Sequence, residues 1–207
     1  MRGSPERRWP RLSAAPAALA AAAVAVVLLA PRPGSGFTDG PPEGTTGGFG
    51  EPTCESCHHG EPPNAPGGAL RVVAPETFTP GEEHVVEVRL ERGGMGRAGF
   101  QLSVRFAGGA RGGSQAGELL PVGGDVQVVA SHDVAYAGHT ATGVDGVAEG
   151  VATWRLRWRA PDAAAPVVFH AAANAANDDD SELGDHVYTA EVVAQPAVAS
   201  QRPPLEP

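Results

Sequence analysis

Both cysteines of the 207-residue chain lie three positions apart in EPTCESCHHG, residues 51–60, and a histidine follows the second. In Cys54-Glu55-Ser56-Cys57-His58 each residue type has a chemical task. The two thiols add across the two vinyl groups of a haem, and the two-residue gap spans the distance between those groups. His58 then lies under the ring as the proximal iron ligand. C-x-x-C-H is the attachment pattern of c-type haem. A covalent tether suits an irregular segment, which could not hold a haem by packing alone.

Three other chemistries use the same residues. A redox dithiol wants its CxxC at a helix start after a buried strand, whereas TGGFGEPT precedes this one. A structural zinc draws its second ligand pair from an ordered spacing further along, and none is present. A plain disulfide leaves His58 without a task. The residues predict one covalent haem c on Cys54 and Cys57 with His58 on the iron; metal binding and a disulfide stand as alternatives.

The sixth ligand decides whether the iron is closed or reactive, and helps set its potential. Candidates are Met95, His59, His84, His132, His139, His170 and His186. His59 neighbours the proximal ligand and cannot reach the opposite ring face. His84 opens a strand and His186 follows an acidic turn, which places both on the surface. Met95 lies in the glycine-rich hairpin RGGMGRAG and is an alternative. His132 and His139 flank SHDVAYAGHTATG, which reads as a loop and is the favoured source.

The elements around the motif are uneven. Arg2, Arg7, Arg8 and Arg11 precede an apolar run over residues 14–30, with small residues up to Gly36, so residues 1–36 read as a signal peptide or an N-terminal anchor. The rest is then exported to an oxidising periplasmic or extracellular space. That leader holds five of the 15 arginines and one of the 24 acids. The remainder carries 10 bases against 23 acids, a net charge near −13. Such a balance repels nucleic acid and anionic lipid, so membrane contact is expected only if the leader is retained. Residues 37–68 are dense in glycine and proline and predict no regular structure. Residues 196–207 read as a disordered tail.

From Ala69 to residue 195 the chain alternates. Val86, Val88 and Leu90 oppose Glu87 and Arg89. Phe100, Leu102, Val104 and Phe106 oppose Gln101, Ser103 and Arg105. Trp154, Leu156 and Trp158 oppose Arg155, Arg157 and Arg159. Further strands are expected at 69–74, 126–131, 166–172 and 187–194, separated by turn clusters. The predicted fold is all-β, an antiparallel β-sandwich of immunoglobulin-like type preceded by the irregular CxxCH segment. The three arginines read as a solvated face, with an acid-receiving patch as the alternative. The acids of NDDDSELGD lack the EF-hand spacing, so calcium is a weak expectation beside a solvated turn. Aromatic residues Trp154, Trp158, Phe100 and Tyr136 read first as core and second as haem-pocket walls.

The stretches TGGFGEPTCESCHHG, FTPGEEHVVEVRL, RAGFQLSVRF, AGHTATG, ATWRLRWRAP, VVFHAAANAAN and GDHVYTAEV follow one another between residues 46 and 193. Together they resemble the bacterial exported proteins with a Reeler-like β-sandwich behind a haem-binding CxxCH, the choice-of-anchor V type. The resemblance implies an extracytoplasmic single-haem module with a sandwich fold. It implies Cys54, Cys57 and His58 as the attachment site, and an HTxxG motif at His139, Thr140 and Gly143 with His139 as distal ligand. His170 stands where the family pattern implies a tyrosine, and the C-terminal anchor of many members has no counterpart here.

Two functions follow from these expectations. One is electron transfer to an unidentified redox partner protein by a monohaem c-type cytochrome with His58 and His139 on the iron. The other is a binding or sensing module whose haem is structural or takes a small gas. No catalytic constellation accompanies the haem, so the chain is not expected to be an enzyme.

Overall fold

A period of two sends one strand face into a core and the other into water, and that alternation builds two sheets here. The computed structural model describes residues 37–197; the expected leader (1–36) and residues 198–207 of the expected tail lie outside them. Eleven strands run in order: β1 (His59–Gly60), β2 (Gly68–Val73), β3 (Thr77–Phe78), β4 (Glu83–Arg92), β5 (Arg97–Phe106), β6 (Glu118–Pro121), β7 (Val126–Ser131), β8 (Val134–His139), β9 (Val151–Arg159), β10 (Val167–Ala176) and β11 (Leu183–Pro196). One sheet has the order β1-β11-β10-β5-β8-β7, with β3 also on β11; the other is β2-β4-β9-β6. All pairs are antiparallel except β1 and β3, which lie parallel along β11. No helix among the described residues is long and apolar enough to cross a membrane.

The apolar sets close on one another as the alternation predicts, making an all-β sandwich. Phe100 stacks on Trp154 with centroids 4.6 Å apart, and Trp158 meets Phe78 and Phe169 edge-on. Each indole N–H finds a carbonyl, Trp154 donating to Gly143 and Trp158 to Ala116, both at 2.9 Å. Buried tryptophans need such a partner. Phe100, Trp154 and Trp158 are therefore plain core and do not wall a haem pocket. The arginine face is a ladder of surface ion pairs: Arg155 with Glu87, Arg157 with Glu83, and Arg159 with Glu83 and Glu118. Its charges are answered by neighbouring strands, which leaves no acid-receiving patch.

Three expectations need correction. The stretch SHDVAYAGHTATG is not a loop, because β8 occupies residues 134–139. His132 and Asp133 form its two-residue hairpin turn with β7, at φ 49° and 66°, as a turn with two left-handed residues demands. Small residues Ala135, Ala137 and Gly138 had hidden the period. β6 was likewise unforeseen. The tail begins later than residue 196, since Pro196 pairs with Phe78 and the Ala197 N–H donates to the Phe78 carbonyl at 2.7 Å.

The irregular segment is fastened to the outer face of the larger sheet. Thr45 donates through its backbone N–H to Gln101 Oε1 at 2.6 Å, and Gln101 Nε2 donates to the Pro42 carbonyl at 2.8 Å. Glu51 accepts from Arg105, from Tyr136 Oη at 2.6 Å and from Thr46 Oγ1 at 2.5 Å. Phe49, at φ 54°, lays its ring over the Arg105 guanidinium. Burial works to raise the Glu51 carboxyl pKa, but the donors from Thr46, Tyr136 and Arg105 outweigh it and hold the group below its ordinary value. Burial and the Glu51 contact push the Tyr136 phenol up to about 12.

A carboxyl depressed in the folded state stabilises fully above its unfolded value, roughly pH 4.3, and loses that contribution as pH falls through the folded value. The thermal unfolding midpoint of the wild type is expected to fall steeply below about pH 4 on this account. Glu51→Gln leaves Arg105 buried without its counter-charge. It is expected to cost about 3 kcal/mol at pH 7 and to flatten that acid limb, as measured by the unfolding midpoint against pH.

Candidate functional site

The CxxCH stretch folds as a single tight turn. Thr53 Oγ1 accepts from the Glu55 N–H at 3.2 Å, capping the 3-10 turn Cys54–Ser56. The Cys57 and His58 N–H groups both donate to the Cys54 carbonyl, at 3.1 and 2.9 Å. This brings both thiols and the imidazole onto one turn. The thiols are free; Cys57 is exposed and Cys54 half-buried. Burial pushes the Cys54 thiol up to about 12, which keeps it protonated and is the reverse of what a redox dithiol needs.

Directly after the turn, β1 clips onto β11. The His59 N–H donates to the Glu182 carbonyl at 2.7 Å, and Gly60 stands opposite Asp185. The approach is close enough that a Cβ at Gly60 would lie 2.2 Å from the Asp185 carbonyl oxygen. Glycine is required there by space. The clip delivers His58 to two polar residues of the outer face. His58 Nδ1 donates to Asp185 Oδ2 at 2.6 Å, and Asn174 Nδ2 donates to the same oxygen at 2.9 Å. The Asn177 N–H donates to Asp185 Oδ1 at 3.2 Å. Burial works to raise the Asp185 pKa, yet the His58, Asn174 and Asn177 donors hold it below its ordinary value.

A proton on Nδ1 fixes the tautomer and leaves the Nε2 lone pair for a metal. Among the described residues no hydrogen bond is made to His58 Nε2. Two thiols, a tautomer-locked imidazole and the orphaned, buried Asn174 Oδ1 beside it fit a c-type haem. Among the described residues no three His, Cys, Asp or Glu side chains gather as a metal site. Calcium finds no better support, since Asp179 accepts from Ser181 and Asn177 while Asp178 pairs with Arg97.

His139 ends β8 on the same sheet. Gly99 of β5 faces Asn174 of β10 in register, and a Cβ at Gly99 would lie 2.6 Å from the His139 ring. Asn174, Gly99 and His139 thus form a row across three strands, with His58 above one end. His139 is buried. Its Nδ1 accepts from the Phe100 N–H at 3.0 Å, and its Nε2 donates to the Phe37 carbonyl at 2.9 Å. Burial lowers its pKa against the raising effect of these backbone contacts, and nearby His58 lowers it further. The turn behind it explains HTxxG. Thr140 Oγ1 donates to the Gly124 carbonyl and accepts from the Gly143 N–H, and a Cβ at Gly143 would lie 2.1 Å from the Asp125 carbonyl.

The other candidates sit elsewhere. His132 is exposed at the hairpin tip, separated from His139 by six residues of strand, about 20 Å by the usual rise. Met95 is 7% exposed and packed in the core, so its sulfur is committed there. His59 is exposed. His84 packs on Trp158, Arg92 donates to His186 at 2.7 Å, and His170 bonds Glu191 at 3.0 Å. Sequence reasoning missed Asp185, Asn174 and the Glu51–Arg105 pair. A signal existed in AAANAA, where one polar residue interrupts an alanine strand.

Gly60→Ala is expected to unclip β1. The His59 amide should then exchange hydrogen at least tenfold faster, with the amides of β10 unchanged, as read by residue-resolved exchange.

No protein-family model matches the chain, and no curated protein matches it by sequence. Among solved structures, it is similar to the human F-spondin reeler domain at 15% identity and TM-score 0.42, covering 68% of this chain and 96% of that one. It is also similar to a non-cellulosomal cohesin from the hyperthermophilic archaeon Archaeoglobus fulgidus at 7% identity and TM-score 0.36, covering 65% and 94%.

Proposed function

We propose that the chain is an exported monohaem c-type cytochrome-like protein that carries one electron between partners outside the cytoplasm. The observation that carries this reading is the CxxCH turn whose His58 has Nδ1 tied to a buried carboxylate and Nε2 left for a metal. Membership among the exported haem-binding Reeler-like proteins is part of the same reading and rests on the motifs quoted above. Cys54 and Cys57 would form the thioethers, with His58 Nε2 as fifth ligand and His139 Nε2 as sixth. Haem bound there supplies a reversible one-electron couple.

His139 is suited to its part by the backbone around it. Its Nδ1 lies 3.0 Å from the Phe100 N–H and 3.3 Å from the Phe100 carbonyl. Moving the ring proton from Nε2 to Nδ1 makes the second contact a hydrogen bond and leaves the Phe100 N–H without its acceptor. It also frees Nε2 from Phe37, giving the Nδ1–H to carbonyl arrangement usual for metal-bound histidine. The internal pairing of both His139 nitrogens supports a second reading, in which this histidine stays with Phe100 and Phe37 and the sixth position is left to a small gas.

Residues 37–207, sent through an export and haem-attachment system, should give a pyridine haemochrome of c type with one haem per chain, and Cys54→Ala/Cys57→Ala should give none. His139→Ala should convert a low-spin ferric spectrum to high-spin. A colourless wild-type product defeats the haem reading, and a high-spin wild-type spectrum selects gas binding.

A further inference from the structure

Asp185 is 1% exposed, an acid held away from water on the outer face of the larger sheet. Its three donors are His58 Nδ1, Asn174 Nδ2 and the Asn177 N–H, and the His58 contact, at 2.6 Å, is the shortest; Asn174 Nδ2 also stands 3.0 Å from His58 Nδ1. Hydrogen bonds to an ionised acceptor are short and strong, and exclusion of water strengthens them further. A ligating histidine whose Nδ1–H meets a carboxylate, rather than a neutral carbonyl, becomes a more basic ligand at Nε2. A more basic ligand stabilises the ferric over the ferrous state, because the extra electron density offsets the higher iron charge.

We propose that Asp185 is a positioning residue that acts through His58 to hold the haem potential low, and that Asn174 moderates the effect by donating to the same carboxylate oxygen. The inference rests on the haem reading above. The two neighbours act in opposite senses. Neutralising Asp185 weakens the pull on the Nδ1 proton, whereas removing the Asn174 donor leaves Oδ2 to His58 alone and strengthens it. A merely structural role for the pair carries no such sign.

The test is redox titration of the full-length holoprotein, restricted to preparations that give one c-type haem per chain. Asp185→Asn is expected to shift the oxidised-to-reduced ratio at fixed ambient potential at least tenfold toward reduced, about 59 mV upward for a one-electron couple. Asn174→Ala is expected to shift the ratio toward oxidised. Asp185→Glu, which keeps a carboxylate, should recover part of the wild-type value. An Asp185→Asn ratio within twofold of wild type overturns the inference, as does movement of Asp185→Asn and Asn174→Ala in the same direction. Should Asp185→Asn fail to mature, the direction of the Asn174→Ala shift decides: toward oxidised supports the inference, and no shift or the reverse overturns it. A wild type without haem refutes the underlying reading instead.

Discussion

The seating of an irregular glycine-rich segment on the outer face of a rigid sheet is the constraint on which the site depends. Residues 37–60 form only two short 3-10 turns and a two-residue strand. They hold no core of their own, so their order is borrowed from β5, β8, β10 and β11. Polar bonds do this work. A buried ion pair such as Glu51–Arg105 contributes little net stability over an apolar contact, because desolvation offsets most of the attraction. Its value lies in register, since an unpaired partner in that position is costly and alternative seatings are thereby rejected.

The two faces of the larger sheet have different tasks. One carries Phe100, Leu102, Phe169 and Ala171 into the core; the other carries Gln101, Ser103, Arg105 and Asn174 beneath the segment. The row of Asn174, Gly99 and His139 is built on strands, whose spacing the core holds fixed. Only the CxxCH turn comes from the segment, and the β1 clip delivers it.

The fold was largely legible because alternation is a local signal, and β4, β5, β9 and β10 announce it with large apolar residues. β8 did not, since Ala135, Ala137 and Gly138 carry too little contrast for a period to register. The motif Cys54-x-x-Cys57-His58 was legible because its residue types are rare in this chain and adjacent. Asp185 and Asn174 were not, because their meaning arises only when β10 and β11 pair and bring them to a histidine more than 110 positions away. His132 and His139 looked equivalent as flanks of one stretch. A hairpin sends such flanks to opposite ends, and only the pairing of β7 with β8 reveals it.

The β1 clip also bears on how copies of the chain behave toward one another. β11 is 14 residues long and pairs with β10 on one side; its other side is covered at its two ends by His59–Gly60 and Thr77–Phe78, and between them Asn64 bonds Val187 and Thr189. A long strand margin with open N–H and C=O groups is a template for joining a second sheet. The motif-bearing segment therefore doubles as a guard on that margin. A chain whose segment has not yet settled exposes more of it than a finished one, which ties colloidal behaviour to completion of the site.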